Sequence, residues 1–299
     1  MFKTWLMMIC LLTPLVSCIH TRPITSSARP PQAPLYQLND FNRIVASGHI
    51  NLQIHTGARR PWITIHGDKR DTAVVHWTVK DHTMYIDLGK GYPKYGAVDV
   101  SLGSRYLLSL QYRGKGLVTG KRLLSKQLDL LIWNAHKTDL EGQMNLRHIV
   151  LGSSGTVHLK SGQSRAVELI LKNKVRAQIE GISNVQKVTM SDQSWLSVFW
   201  VKSQGLRMYL KDQAQAQMAG IANKLYLQLQ DHARFNGRYL RATEAFVKTY
   251  DDSEANIAVV KTQHTLASDK SNIYFYDSPR YKTDFMAKNG SVLEMQAWQ

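Results

Sequence analysis

The stretch LILKNKVRAQIEGISNVQKVTMSDQSWLSV, residues 169–198, contains two copies of one unit. Leu169 and Leu171 precede a turn-type residue, Asn173; Ala177 and Ile179 follow it, with the polar Gln178 between them and Gly181 behind. The order then recurs: Val188 and Met190, then Asp192, then Leu196 and Val198 around Ser197. A spacing of two puts side chains on one face of a strand. Asn, Asp, Gly and Ser tolerate a left-handed backbone or bond their own main chain in turns. Each unit therefore reads as strand, turn, strand, turn.

Outward from this stretch the unit repeats in both directions. The turn markers are Gly114, Asn134, Ser153, Asn173, Asp192, Asp212, Asp231, Asp251, Asp269 and Asn289, at steps of 18 to 20 residues. Leu110, Leu130, Ile149, Leu169, Val188, Met208 and Leu227 form one matched column, and pairs such as Val157/Leu159, Ala216/Met218 and Ile273/Phe275 form another. The register weakens after Asp231, where Phe235 is followed by Gly237. One unit cannot bury its apolar face alone, but stacked units bury it against each other. The expected fold is all-β: a right-handed parallel β-helix, or β-solenoid, of about ten coils of 19–20 residues. Ten coils at roughly 4.8 Å each give a rod of about 50 Å. An antiparallel sandwich also repeats strands, but without a constant period and matched columns.

Residues 36–102 are less regular. Strands are expected near 50–54, 62–66, 74–79, 84–88 and 98–102, with turns at Gly57, Gly67-Asp68 and Gly89 to Gly91. A solenoid end exposes unpaired backbone, so this N-terminal β region is expected to act as a cap, followed by solenoid repeats over 103–299.

The segment from Phe41-Asn42-Arg43-Ile44-Val45 through Gly48-His49-Ile50-Asn51-Leu52 to Gly57, with Ile63-Thr64-Ile65-His66-Gly67-Asp68 after it, resembles the opening of the auto-transporter adhesin head family, the head-GIN domain. Gly152-Ser153-Ser154-Gly155-Thr156 resembles that family's internal Ser/Gly turn, although most coils lack the Ser-Gly-Ser-Gly pattern. The resemblance spans roughly residues 36–295. It implies an exported, solenoid-like protein and supplies no catalytic residues.

The N-terminus points to export. Lys3 is followed by an apolar run from Trp5 to Val16, the layout of a signal peptide over residues 1–17. The run is shorter than the roughly 20 residues a membrane-spanning helix needs. Leu15-Val16-Ser17-Cys18 resembles a bacterial lipobox, which would make Cys18 the lipidated mature N-terminus. Ile19 is not Asp, which by resemblance to the usual sorting rule implies the outer membrane. Residues 18–35 hold Pro23, Pro30, Pro31 and Pro34 among Ser and Arg, a tether composition. The two cysteines are Cys10 and Cys18, so the mature protein would carry no disulfide.

The formal net charge is +16, and +15 once Lys3 leaves with the signal. That balance favours polyanions, and an exported address argues against nucleic acid. A basic residue recurs on the return side of nearly every coil: Lys126, Arg147, Arg165, Lys187, Lys202, Lys224, Arg241, Lys261 and Arg280. Lys202, Lys224, Arg241 and Lys261 are the candidate ligand-binding residues, for anionic polysaccharide or lipopolysaccharide. Leu131, Val150 and Ile170 form an outward apolar column, expected to pack under residues 36–102 or against a partner protein.

Catalytic chemistry is harder to find. Asp251-Asp252 with Glu254 is the densest acidic cluster, but Asp251 belongs to the turn column. Stacked Asp192, Asp212 and Asp231 offer oxygens for calcium, without a glycine-rich nonapeptide repeat. The histidines show no ligand spacing, and Gly89-Lys90-Gly91 and Gly114-Lys115-Gly116 lack phosphate-loop spacing. No catalytic residue, metal site or cofactor is assigned. The expected role is a membrane-anchored, non-catalytic binding or scaffold module. The alternatives are a polysaccharide lyase or hydrolase on a β-helix and a subunit of an envelope assembly.

Overall fold

The computed structural model describes residues 36–276 and 280–295. The signal segment, Cys18 and the tether lie outside the described residues. The leading strands are β1 (Tyr36–Gln37), β2 (Arg43–Gly48), β3 (Asn51–Thr56), β4 (Trp62–His66), β5 (Val75–Lys80), β6 (Thr83–Leu88), β7 (Asp99–Ser104) and β8 (Ser109–Gly114), with a one-turn helix, α1 (Lys69–Thr72), before β5. Eight long strands follow: β9 (Val118–Asn134), β10 (Lys137–Gly152), β11 (Thr156–Leu171), β12 (Arg176–Met190), β13 (Trp195–Leu210), β14 (Gln215–Leu229), β15 (Arg234–Thr249) and β16 (Glu254–Ser268). Then come β17 (Asn272–Phe275), β18 (Tyr281–Lys288) and β19 (Ser291–Glu294). Each long strand pairs in parallel with the next, giving a β-solenoid of about 9 turns plus a less regular N-terminal region.

The marker residues sit where the sequence places them. Ser153, Asn173, Asp192, Asp212, Asp231, Asp251, Asp269 and Asn289 all have a left-handed backbone, with φ between +58° and +75°. The aspartates do more than tolerate it. The Asp192 carboxylate accepts the backbone N–H of Asn173 at 2.9 Å, Asp212 that of Asp192 at 3.0 Å, Asp231 that of Asp212 at 3.1 Å, and Asp251 that of Asp231 at 3.1 Å. Each turn is thus fastened to the turn one coil back, and the stacked carboxylates are engaged with main chain.

That ladder makes a prediction. The Asn173 N–H, then the Ser191 hydroxyl, hold the Asp192 carboxyl below the usual carboxylate range. Its stabilising effect is present above the ordinary carboxylate value and is lost as pH falls through the lowered one. Asp192→Ala removes these bonds and forces alanine into a left-handed turn, costing about 1–2 kcal/mol in a urea melt. Asp192→Asn, which tolerates the turn and still accepts a bond, should cost less and remove this site's acid dependence.

The other corner differs from a simple turn. Gly142, Gly181 and Gly220 have φ of +157°, +112° and +137°, yet each is flanked by strand on both sides. The ladders break register there, for example between Gly142 and His148 and between Glu180 and Ser183. Each coil is therefore one long strand bent at a bulge, so its second corner keeps inter-coil hydrogen bonds across much of the bend.

Leucine, isoleucine, valine and methionine from both halves of each strand fill the interior, among them Leu159, Leu169, Leu171, Ile179, Val188 and Met190, all essentially inaccessible. The weak register after Asp231 has a packing cause. A Cβ on Gly237 would stand 2.4 Å from the Phe235 ring, so the aromatic ring occupies the space of the missing inward side chain.

The leading region extends the same sheets. β2 lies between β6 and β8, and β3 between β7 and β9, all in parallel. The chain's first coil, β2–β3, is thus inserted between the later coils β6–β7 and β8–β9. Antiparallel β5 on β6, and β4 on β7 followed by β1 on β4, end the two sheets. The buried Asp71 of α1 accepts the N–H groups of Lys94 and Tyr95 at 2.9 and 2.7 Å, tying the helix to the segment between β6 and β7.

This arrangement corrects one expectation. The outward column runs Val45, Gln111, Leu131, Val150, Ile170. The leading strands join it at the end instead of lying over it. Leu131 and Val150 are half-buried and Ile170 remains exposed.

Candidate ligand-binding groove

The bulged corner of the first coils carries an open groove. Between the corners of β9, β10 and β11 and the connector from β7 to β8 lies an open groove of roughly 1290 Å³. The connector supplies Arg105, Tyr106 and Leu108, and is held to the corner by the Leu107 N–H donating to the Leu124 carbonyl at 3.2 Å. The corners supply Leu124, Lys126, Gln127, Gln143, Asn145, Arg147, Gln163 and Arg165.

A hydrogen-bond ladder fixes the corner. The Asn145 side-chain amide donates to the Lys126 carbonyl at 2.8 Å and its oxygen accepts the Arg165 N–H at 3.0 Å. Asn184 then donates to the Arg165 carbonyl at 2.7 Å. These bonds set Lys126 and Arg165 two coils apart on one edge, leaving their charged heads in solvent. Arg147 forms a two-armed pair with Asp129, through Nε at 2.9 Å and Nη2. The Arg147 guanidinium holds the Asp129 carboxyl below its ordinary range, and the pair orients Arg147. The Ser125 hydroxyl, buried in the groove wall, has no hydrogen-bond partner among the described residues.

The groove thus brings together four cations and three glutamine amides, and no carboxylate is among its lining residues. Such a set can bind carboxylate, phosphate or sulfate groups and the hydroxyls of a sugar.

The four residues singled out from sequence lie farther along the same corner and do not form a single column. Lys202 faces Ile221, which faces Arg241. Lys224 stands in a separate column beside Glu244, with Nζ 3.5 Å from its carboxylate. Lys261 precedes Thr262, which continues that column from Glu244. Lys126, Arg147 and Arg165, from the wider basic set, converge in the groove. Arg105, Tyr106, Gln127, Gln143 and Gln163 were not legible as site residues, because the connector carries no repeat and glutamine has no distinctive spacing.

Outward carboxylates also meet around His158. His158 bonds Asp139 through Nδ1 and Glu180 through Nε2, each at 3.2 Å, and Lys137 and Lys160 pair with Asp139 and Glu141. The carboxylates are thus each engaged, by His158 or by a lysine, on the outer sheet face. Among the described residues no three His, Cys, Asp or Glu side chains are placed to hold a metal ion.

Residues 40–279 match the family described as "Putative auto-transporter adhesin, head GIN domain". The chain belongs to the head-GIN family. A crystal structure of a "putative adhesin" from Parabacteroides merdae is 16% identical over 88% of this chain and 95% of that one, at a TM-score of 0.52. That likeness is one of fold. Two proteins from Parabacteroides distasonis, a "putative adhesin" and a "putative lipid binding protein", are each 13% identical over 88% of this chain and 96% of theirs, at TM-scores of 0.46 and 0.45. No curated protein matches this head-GIN chain in sequence.

Proposed function

We propose that this head-GIN protein is an exported, non-catalytic binding module of the cell envelope. Lipid on Cys18 holds it to a membrane, and the tether 18–35 spaces the solenoid from the surface; an adhesin-type role agrees with the family's description. The ligand of the groove is an acidic glycan segment, such as an anionic polysaccharide or the sugar region of lipopolysaccharide.

The observation that carries this reading is the convergence of Arg105, Lys126, Arg147 and Arg165 with Gln127, Gln143 and Gln163 in one open groove whose lining residues include no carboxylate. The cations would meet the acidic groups and the amides the hydroxyls, while Tyr106 offers an exposed ring to a sugar face.

The test is binding of polygalacturonate and lipopolysaccharide at several salt concentrations. Affinity should fall with salt, and Lys126→Glu with Arg165→Glu should weaken it about tenfold or more. Lys211→Glu, at the turn corner, should leave it unchanged. Binding that ignores both salt and the double substitution refutes the assignment. In cells, Cys18→Ser should move the protein from the membrane to the soluble fraction.

A further inference from the structure

We infer that the far half of the bulged corner, beginning at the coil next to the groove, is a docking edge for an anionic lipid bilayer. Along β12 to β16 the corner presents Ile182, Phe199, Trp200, Ile221, Tyr239 and Val260, which are 40–72% exposed. They follow one edge because the corners stack. Phe199 faces Ala219, which faces Tyr239, and Lys202 faces Ile221, which faces Arg241. Five stacked coils make a row about 20 Å long.

Both the shape and the charge fit a membrane surface. The row stands at the tips of bends and therefore projects outward. Phe199 and Trp200 meet edge to face with centroids 5.6 Å apart, forming a raised aromatic pair. Aromatic side chains favour the level of lipid head groups, where an apolar ring and a polar end are both accommodated. Lys202, Lys224, Arg241 and Lys261 stand among the apolar tips and are exposed. The cores of protein–protein interfaces are depleted of lysine, whereas an interfacial membrane surface combines apolar tips with flanking cations. The nearby carboxylates are engaged: Glu244 with Lys224, and Glu180 with His158 and Gln178.

The charges that the sequence pointed to would thus contact lipid phosphates, while the apolar tips enter the head-group layer. Each cation near an anionic surface contributes about fivefold to binding. The reading does not depend on what the groove holds.

The test uses the full chain carrying Cys10→Ser and Cys18→Ser, with a polarity-sensitive fluorophore on Tyr239→Cys, and a second protein labelled at Gln213→Cys on the turn corner. With vesicles of phosphatidylcholine and phosphatidylglycerol, the label at position 239 should shift to the blue and be quenched by a lipid-borne quencher. The label at 213 should not respond, and phosphatidylcholine alone should give little shift. Phe199→Ser with Ile221→Ser, and separately Lys202→Glu with Arg241→Glu, should each weaken the response about tenfold or more. An unmoved label at 239 overturns the inference. So does an equal shift on soluble polygalacturonate, which would make the edge a glycan site. A label already buried without vesicles overturns it too, by placing the chain's own segments over the edge.

Discussion

Gly220→Val is expected to lower stability by roughly 2–6 kcal/mol, the sum of a strained backbone and a steric clash. Gly220 has φ of +137°, where a residue with a Cβ is strained, and a Cβ there would stand 2.0 Å from the Val201 carbonyl oxygen and 2.7 Å from its nitrogen. The neighbour is main chain of the preceding coil, paired in register with Gly220 itself, so no side chain can swing away. Relief requires β13 and β14 to separate at the corner. Because each coil bears only on its neighbours, the damage is expected to split the rod into two melting units. Thermal melts by circular dichroism should show a lower, broadened transition, with new proteolytic cleavage near the corner. Gly162→Ala and Gly205→Ala serve as controls, since a Cβ at either meets nothing within 4 Å. A variant at 220 that melts like these controls would refute the packing argument.

The corner at Gly220 also shows where sequence reading stops. The turn column was legible because, from Ser153 onward, a left-handed backbone restricts residue choice coil after coil, leaving Asn173, Asp192, Asp212 and Asp231 at a near-constant step. The inward columns were legible because burial enforces alternation. The bulged corner selects less strictly: Gly220 is needed there, but the same bend in β13 holds Phe199 and Trp200. Register slips at the bulges, as between Phe199 and Val201 and between Gln217 and Ala219, are invisible to counting along the chain. The resulting register puts Lys202 and Arg241 in one column and leaves Lys224 in another. Insertion of β2–β3 between later coils was hidden for another reason. Ile44 and Ala46 would satisfy the inward face at any level of the stack, and nothing in their alternation names a neighbour. The groove needed both pieces of information, the corner register and the position of the connector bearing Arg105 and Tyr106.

The inserted coil rests on a side chain whose loss should be nearly as costly. Tyr112 ends the inward column of β8, is fully buried, and pairs with Ala46 of β2. Its hydroxyl donates to the Ile50 carbonyl at 2.8 Å, in the turn joining β2 to β3, and lies 3.3 Å from that of Gly48 at the end of β2. One residue thus links coils more than 60 positions apart in sequence. Tyr112→Ala empties that space and should cost about 3–5 kcal/mol. Tyr112→Phe keeps the ring but leaves the Ile50 carbonyl without this donor, costing about 1–3 kcal/mol. The two variants also separate by pH. Burial pushes the Tyr112 phenol from 10.0 up to about 12. A value raised by folding gives stability that is complete below the ordinary phenol value and is lost as pH rises towards the raised one. The wild type should therefore lose stability between about pH 10 and 12, and Tyr112→Phe should lose less over that window. Hydrogen exchange should localise the effect: in Tyr112→Ala, protection should fall in β2 and β3, and in β6 and β7, which stack on them. Wild-type protection in β2 and β3 would mean that strand pairing and the other inter-coil bonds, such as the Leu117 N–H to the Asn51 side chain, hold the inserted coil without Tyr112.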